Sequence, residues 1–107
     1  MKRYGMVIGI HQNKIDEYKR LHAAVWPDVL KVIEQCHIRN YSIYYKDGQL
    51  FSYFEYHGDN FADDMAKMAA DPKTQAWWAI MEPMQQPVHT RAEGEWWANM
   101  EEVFHLD

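Results

Sequence analysis

The sequence predicts an α+β domain: one antiparallel sheet of four strands, with helices on a single face. Three observations predict it. Apolar residues alternate with period two from Tyr4 to Ile10 and again on both sides of an Asp47-Gly48 turn. They switch to helical spacing after the first of these stretches and again after the hairpin. Glycines at 5 and 9 leave one face of the first strand nearly bare, so another layer can approach it closely.

Each element has a local reason. Tyr4, Met6, Ile8 and Ile10 share one face of the first strand, opposite Gly5, Val7 and Gly9. His11-Gln12-Asn13 reads as a turn, with Asn13 as N-cap of the next helix. Ile15, Tyr18, Leu21, His22 and Val25 recur at helical spacing until Pro27, which suits the first position of a second helical piece running to Cys36. Ile38–Lys46 and Leu50–His57 form a hairpin. Simple alternation puts Arg39, Tyr41, Ile43 and Tyr45 on one face of its first strand, and Ile38, Asn40, Ser42 and Tyr44 on the other. Both faces of the hairpin carry apolar or aromatic residues; one covers the helices, and the other calls for a second subunit. Phe61–Ala70 reads as a helix capped by Asp59 or Asn60, and Asp71-Pro72 starts another through Trp77-Trp78 to Met81 or Met84. Gln86–Glu95 is a loop, and Met100–Leu106 is the expected last strand. The order β-α-β-β-α-β is the ferredoxin-like split βαβ plan, contained in a single domain over residues 1–107.

Composition narrows the function. A chain of 107 residues with 48% apolar and 15% aromatic content supports a modest packed core. A net charge of −5 argues against nucleic-acid partners and anionic membrane surfaces. The single cysteine, Cys36, rules out an internal disulfide and reads as buried and inert. The six histidines include no HxH or HxxxH pair, so no metal is expected. No apolar run approaches 18 residues and the N-terminus lacks a signal-like apolar region, which points to a cytoplasmic protein. Activated-serine, P-loop and dinucleotide motifs do not occur. The acidic pairs Asp63-Asp64 and Glu101-Glu102 read as solvated faces.

What remains is aromatic and imidazole chemistry. Tyr18 and His22 lie four residues apart, on one helix face. Trp77 and Trp78 diverge by about 100° around another helix, so both cannot enter one core. Such a set suits a small, neutral, polar ligand that exchanges protons near pH 7, a sugar rather than a phosphate or a nucleic acid. The same residues would also serve as a half-buried stabilising pair and a core tryptophan. Trp96-Trp97, near the chain's end, suits a subunit contact or a flap over the ligand.

Four blocks, in order and with compatible spacing, resemble the L-rhamnose mutarotase family. They are Glu17-Tyr18…His22…Trp26-Pro27, Asn40-Tyr41-Ser42-Ile43-Tyr44, Trp77-Trp78 with Met81, and Glu102-Val103-Phe104. The resemblance implies a cofactor-free homodimer of the dimeric α/β barrel type that interconverts the α and β anomers of a 6-deoxy sugar. It further implies His22 as the acid/base residue, with Tyr18, Tyr41, Trp77 and Trp78 around the substrate. The Gln86–Trp97 stretch is longer and more aromatic than that pattern, and His105 stands where a tyrosine is expected. L-fucose therefore stays beside L-rhamnose as a candidate substrate. Two other classes fit the same residues: a cofactor-independent oxygenase or haem- or quinone-handling dimer, and a binding module without chemistry.

Overall fold

A computed structural model describes residues 1–107. In chain order the elements are β1 (Lys2–Ile10), a 3-10 turn (Gln12–Lys14), α1 (Ile15–His22), α2 (Pro27–Gln35), β2 (Ile38–Lys46), β3 (Gln49–Tyr56), α3 (Phe61–Ala70), α4 (Pro72–Met81), a second 3-10 turn (Glu82–Met84), β4 (Gln85–Gln86) and β5 (Ala98–Met100). The strands run antiparallel in the order β2-β3-β1, and β4 and β5 both pair with the free edge of β1. This is the ferredoxin-like α+β arrangement the element order predicts.

The caps follow the sequence in part. Asn60 accepts from the Asp63 N–H at 3.1 Å and Asp71 from the Thr74 N–H at 2.8 Å, so each satisfies a free donor of a first helical turn. Pro27 occupies the first turn of α2, and Trp26 stands between the two helical pieces. Asn13 is not a cap. It lies inside the 3-10 turn, and α1 starts from Lys14 without a side-chain cap.

The hairpin turns through Asp47 (φ 49°) and Gly48 (φ 80°), the two left-handed residues that a tight hairpin of matching twist requires. The face assignment of β2 needs a correction. A bulge between Arg39 and Ser42 sets Asn40 at φ 50° and adds one residue against β3. Each residue before the bulge therefore changes sides. Ile38 turns to the helices and is buried, whereas Arg39 moves to the outer face opposite Glu55. Tyr41, Ile43 and Tyr45 keep the helix side.

The core lies between helices and sheet. Ile8, Ile10, Tyr18, Val29, Leu50, Trp77, Met81 and Met84 form its main cluster; Ile38, Phe54 and Tyr56 form a smaller one under α3. Asp64 departs from its expected exposure. It is 5% exposed and accepts from the Tyr56 hydroxyl at 2.5 Å, with His37 Nδ1 at 3.1 Å. Cys36 is buried, as expected.

The last strand is also corrected. It spans Ala98–Met100, and residues 101–107 have no regular structure. Met100 stands opposite Gly5, where the ladder ends, and Arg3 bonds Glu102 at 3.0 Å through side chains; by this register only residues beyond Val103 pass the start of β1. Val103, Phe104 and Leu106 are left about four-fifths exposed. The fourth strand position is thus filled by two fragments, β4 and β5, joined by a long loop. Gly9 admits the first: a Cβ there would stand 2.5 Å from the Gln86 carbonyl oxygen.

Candidate functional site

The site forms where α1 faces β2 and β3. A concavity of about 360 Å³ opens there between Tyr18, Lys19 and His22 of α1 and Ile43 and Tyr45 of β2, with Leu50 at its base. The i, i+4 spacing stacks the Tyr18 and His22 rings, centroids 4.1 Å apart. Trp77 of α4 meets the imidazole edge-on at 5.4 Å, and Trp26 meets Trp77 at 5.2 Å. The break at Pro27 is what frees Trp26 to pack against Trp77.

His22 is held in one tautomer. Its Nδ1 lies 2.8 Å from the Tyr18 carbonyl oxygen, which only accepts, so Nδ1 carries the proton and donates. Nε2 is then an unprotonated base. Burial lowers the His22 pKa from its usual value and the bond to Tyr18 opposes this, so the neutral ring is favoured.

The phenols move the other way. Burial raises Tyr18, partly offset by a bond from Gln85. Tyr41 is pushed up to about 12, chiefly by burial and further by the Tyr18 phenol. Tyr41 is nonetheless 44% exposed as a whole, with its ring edge-to-face on Phe54. The site thus pairs a neutral base with two protonated phenols, and environments that push titratable groups apart are a signature of acid/base sites.

Of the residues expected from sequence, Tyr18, His22 and Trp77 are in contact, and Tyr41 lies further along β2, close enough for its phenol to feel that of Tyr18. Trp77 is buried, backing the imidazole. Trp78 is 37% exposed and makes no ring contact with this group. Sequence reasoning missed Gln85. Its Nε2 donates to the Tyr18 hydroxyl at 3.3 Å, and its Oε1 accepts from the Trp96 indole N–H at 2.8 Å. No local signal marked it: Gln85 falls between the expected helix and the expected Gln86–Glu95 loop. Trp97 packs against the main core. Lys19 stands over the Tyr45 ring at 5.4 Å, at the rim of the concavity. No three His, Cys, Asp or Glu side chains converge as a metal-ligand set.

A ferredoxin-like sheet with an imidazole stacked on a buried phenol in its helix-side cleft defines a class: small α+β proteins with a polar, aromatic cleft between helix and sheet. The L-rhamnose mutarotase family model matches residues 3–106. The L-rhamnose mutarotases of Oceanobacillus iheyensis and Bacillus subtilis are 31% and 32% identical to the chain, each over the full length of both proteins. The chain belongs to the L-rhamnose mutarotase family. Two solved structures share the fold over their full length: an L-rhamnose mutarotase from Formosa agariphila (TM-score 0.78, 20% identity) and tetracenomycin F2 cyclase from Streptomyces glaucescens (TM-score 0.71, 12% identity).

Proposed function

We propose that the protein interconverts the α and β anomers of L-rhamnose by opening and reclosing the sugar ring. The tautomer of His22 carries this reading: with Nδ1 donating to the Tyr18 carbonyl, Nε2 is the ring nitrogen left unprotonated to act as a base. In the proposed step Nε2 takes the proton of the anomeric hydroxyl. The C1–O1 bond becomes a carbonyl, the C1–O5 bond breaks, and O5 takes a proton from a phenol, Tyr18 or Tyr41. The open aldehyde turns about C1–C2. The same groups then act in reverse, and recovery of the starting protonation needs no outside reagent. Neutral imidazole and un-ionised phenols are the forms this requires near pH 7.

Ile43 and Leu50 would take the sugar's apolar side, including a 6-methyl group. Trp77 supports His22 directly; Trp78 is proposed only as an outer wall. L-fucose, the second 6-deoxy candidate, is separated by measurement. The bare outer face of the sheet and the exposed apolar tail support a homodimer, and a lone buried thiol suits a reducing, cytoplasmic setting.

Exchange NMR on equilibrated L-rhamnose and L-fucose tests the proposal. Wild type should speed anomer exchange of L-rhamnose, and His22→Ala should lose roughly 10²–10⁴-fold of the catalysed rate with its fold intact. Equal exchange in both proteins would remove His22 from the mechanism. A wild type faster on L-fucose would reassign the substrate.

A further inference from the structure

We infer that Gln85, aimed by the indole of Trp96, is a positioning residue that directs the Tyr18 hydroxyl proton into the cleft. The inference rests on the acid/base reading above but uses different atoms. An indole N–H only donates, so the end of the Gln85 side chain 2.8 Å from it must be the carbonyl oxygen. The amide nitrogen is then the end that faces Tyr18, at 3.3 Å. An amide nitrogen only donates, so the phenol oxygen must accept. Its own proton is thereby excluded from this bond and has to find another acceptor. No other group of the chain bonds that hydroxyl, and Tyr18 lines the concavity.

The chain of donors therefore has a fixed direction: Trp96 to Gln85 to Tyr18 to ligand. Burial makes the direction firm. Gln85 is 8% exposed and Tyr18 4%, so solvent does not compete for the amide. Register makes it stiff. Gln85 is paired with Ile10 in the sheet, and His11 N–H bonds the preceding Met84 carbonyl at 2.9 Å. The aromatic loop thus has a local purpose: Trp96 spans eleven residues back to orient one amide.

Three substitutions test the direction. Gln85→Met keeps size and removes both bonds; kcat should fall roughly tenfold, with KM within about threefold. Gln85→Glu still accepts from Trp96 but turns its second oxygen on Tyr18, so the phenol donates to the carboxylate; kcat should fall by roughly a hundredfold. Trp96→Phe, at an exposed ring, should cost a fewfold by letting the amide flip. In a Tyr18→Phe background all three should change kcat by less than about twofold. Titration of ¹³Cζ-labelled tyrosine supplies a readout without substrate: the Tyr18 pKa should rise in Gln85→Met and rise further in Gln85→Glu. Equal kcat in Gln85→Met and Gln85→Glu, unaltered Tyr18 titration, or undiminished losses in the Tyr18→Phe background would each overturn the inference. A wild type that exchanges no anomers would overturn the sugar reading instead, and the titration would still decide the direction of the chain.

Discussion

His22 was legible in the sequence because i, i+4 spacing fixes a shared face whatever the tertiary fold. Its tautomer was not, because it depends on a backbone carbonyl one turn back and on the rotamer that reaches it. The tautomer has a consequence for pH. Burial lowers the His22 pKa, so Nε2 stays unprotonated below the ordinary histidine value of about 6.5. The catalysed exchange rate should therefore be flat around neutrality and fall only as pH drops below that value. A rate that already declines between about pH 8 and pH 7 would contradict a depressed imidazole. Asp64 teaches the opposite lesson. Adjacent acidic residues read as solvated, yet packing turned Asp64 inward onto Tyr56 and His37, leaving Asp63 outside. The Tyr56 hydroxyl, then His37, hold its carboxyl below the usual range. A folded-state pKa that is depressed gives stability present at neutral pH and lost as pH falls through it. Asp64→Asn should thus be less stable than wild type at pH 7 and lose less between about pH 5 and pH 3. Parallel acid limbs in denaturant titrations would show that the contact is energetically silent.

The bulge in β2 marks where period-two reasoning stops working at the scale of an element. Alternation assigned Tyr41, Ile43 and Tyr45 correctly, because they lie on the regular side of the irregularity. It reversed Ile38 and Arg39, because one inserted residue shifts every earlier side chain to the other face. A trace of this was present: an isoleucine and an arginine out of phase with the strand, followed by an asparagine, a residue that accepts positive φ. Asn40 is therefore the hinge on which Tyr41 is aimed. Asn40→Gly keeps the left-handed conformation and should retain stability within a fraction of a kcal/mol, losing only the exposed bond to Glu55. Asn40→Val should cost about 1–3 kcal/mol through strain at φ 50°. If the strand relieves that strain by losing the bulge, Tyr41 moves and the exchange rate drops with it. Paired thermal melts and anomer-exchange rates for the two variants check both halves. The split fourth strand was less legible still. Gly9 announced a close approach, but nothing local to Gln85-Gln86 marks a two-residue strand.

At the scale of the molecule, the sheet has one face covered by helices and one covered by nothing in this chain. The outer face carries Gly5 and Val7 of β1, Phe51 and Tyr53 of β3, and Tyr44 of β2, which is 67% exposed. The glycines keep it low and flat, as the sequence already indicated. The tail was not foreseen. A strand was expected to Leu106, but the ladder with β1 stops at Met100 opposite Gly5, although β1 itself runs on to Lys2. Beside them lies a groove of about 520 Å³ that includes Arg3, Tyr53, Met100 and Phe104, on the same outer side. Seven extended residues reach roughly 23 Å, enough to cross several strands of a second copy. Fully burying Val103, Phe104 and Leu106 would each contribute about 1.5–3 kcal/mol before ordering costs. The proposed homodimer follows from joining two such faces, and its stability should depend on both the face and the tail. Sedimentation equilibrium should give two copies per particle for wild type at micromolar concentration. Val7→Asp places a charge at the centre of the face without touching the cleft, and removal of residues 101–107 leaves the sheet pairing in place; each should move the equilibrium toward single chains with unchanged far-ultraviolet circular dichroism. A wild type that sediments as one chain at every concentration would mean that an aromatic sheet face and a largely exposed apolar tail persist in water unaided, and the homodimer would have to be abandoned.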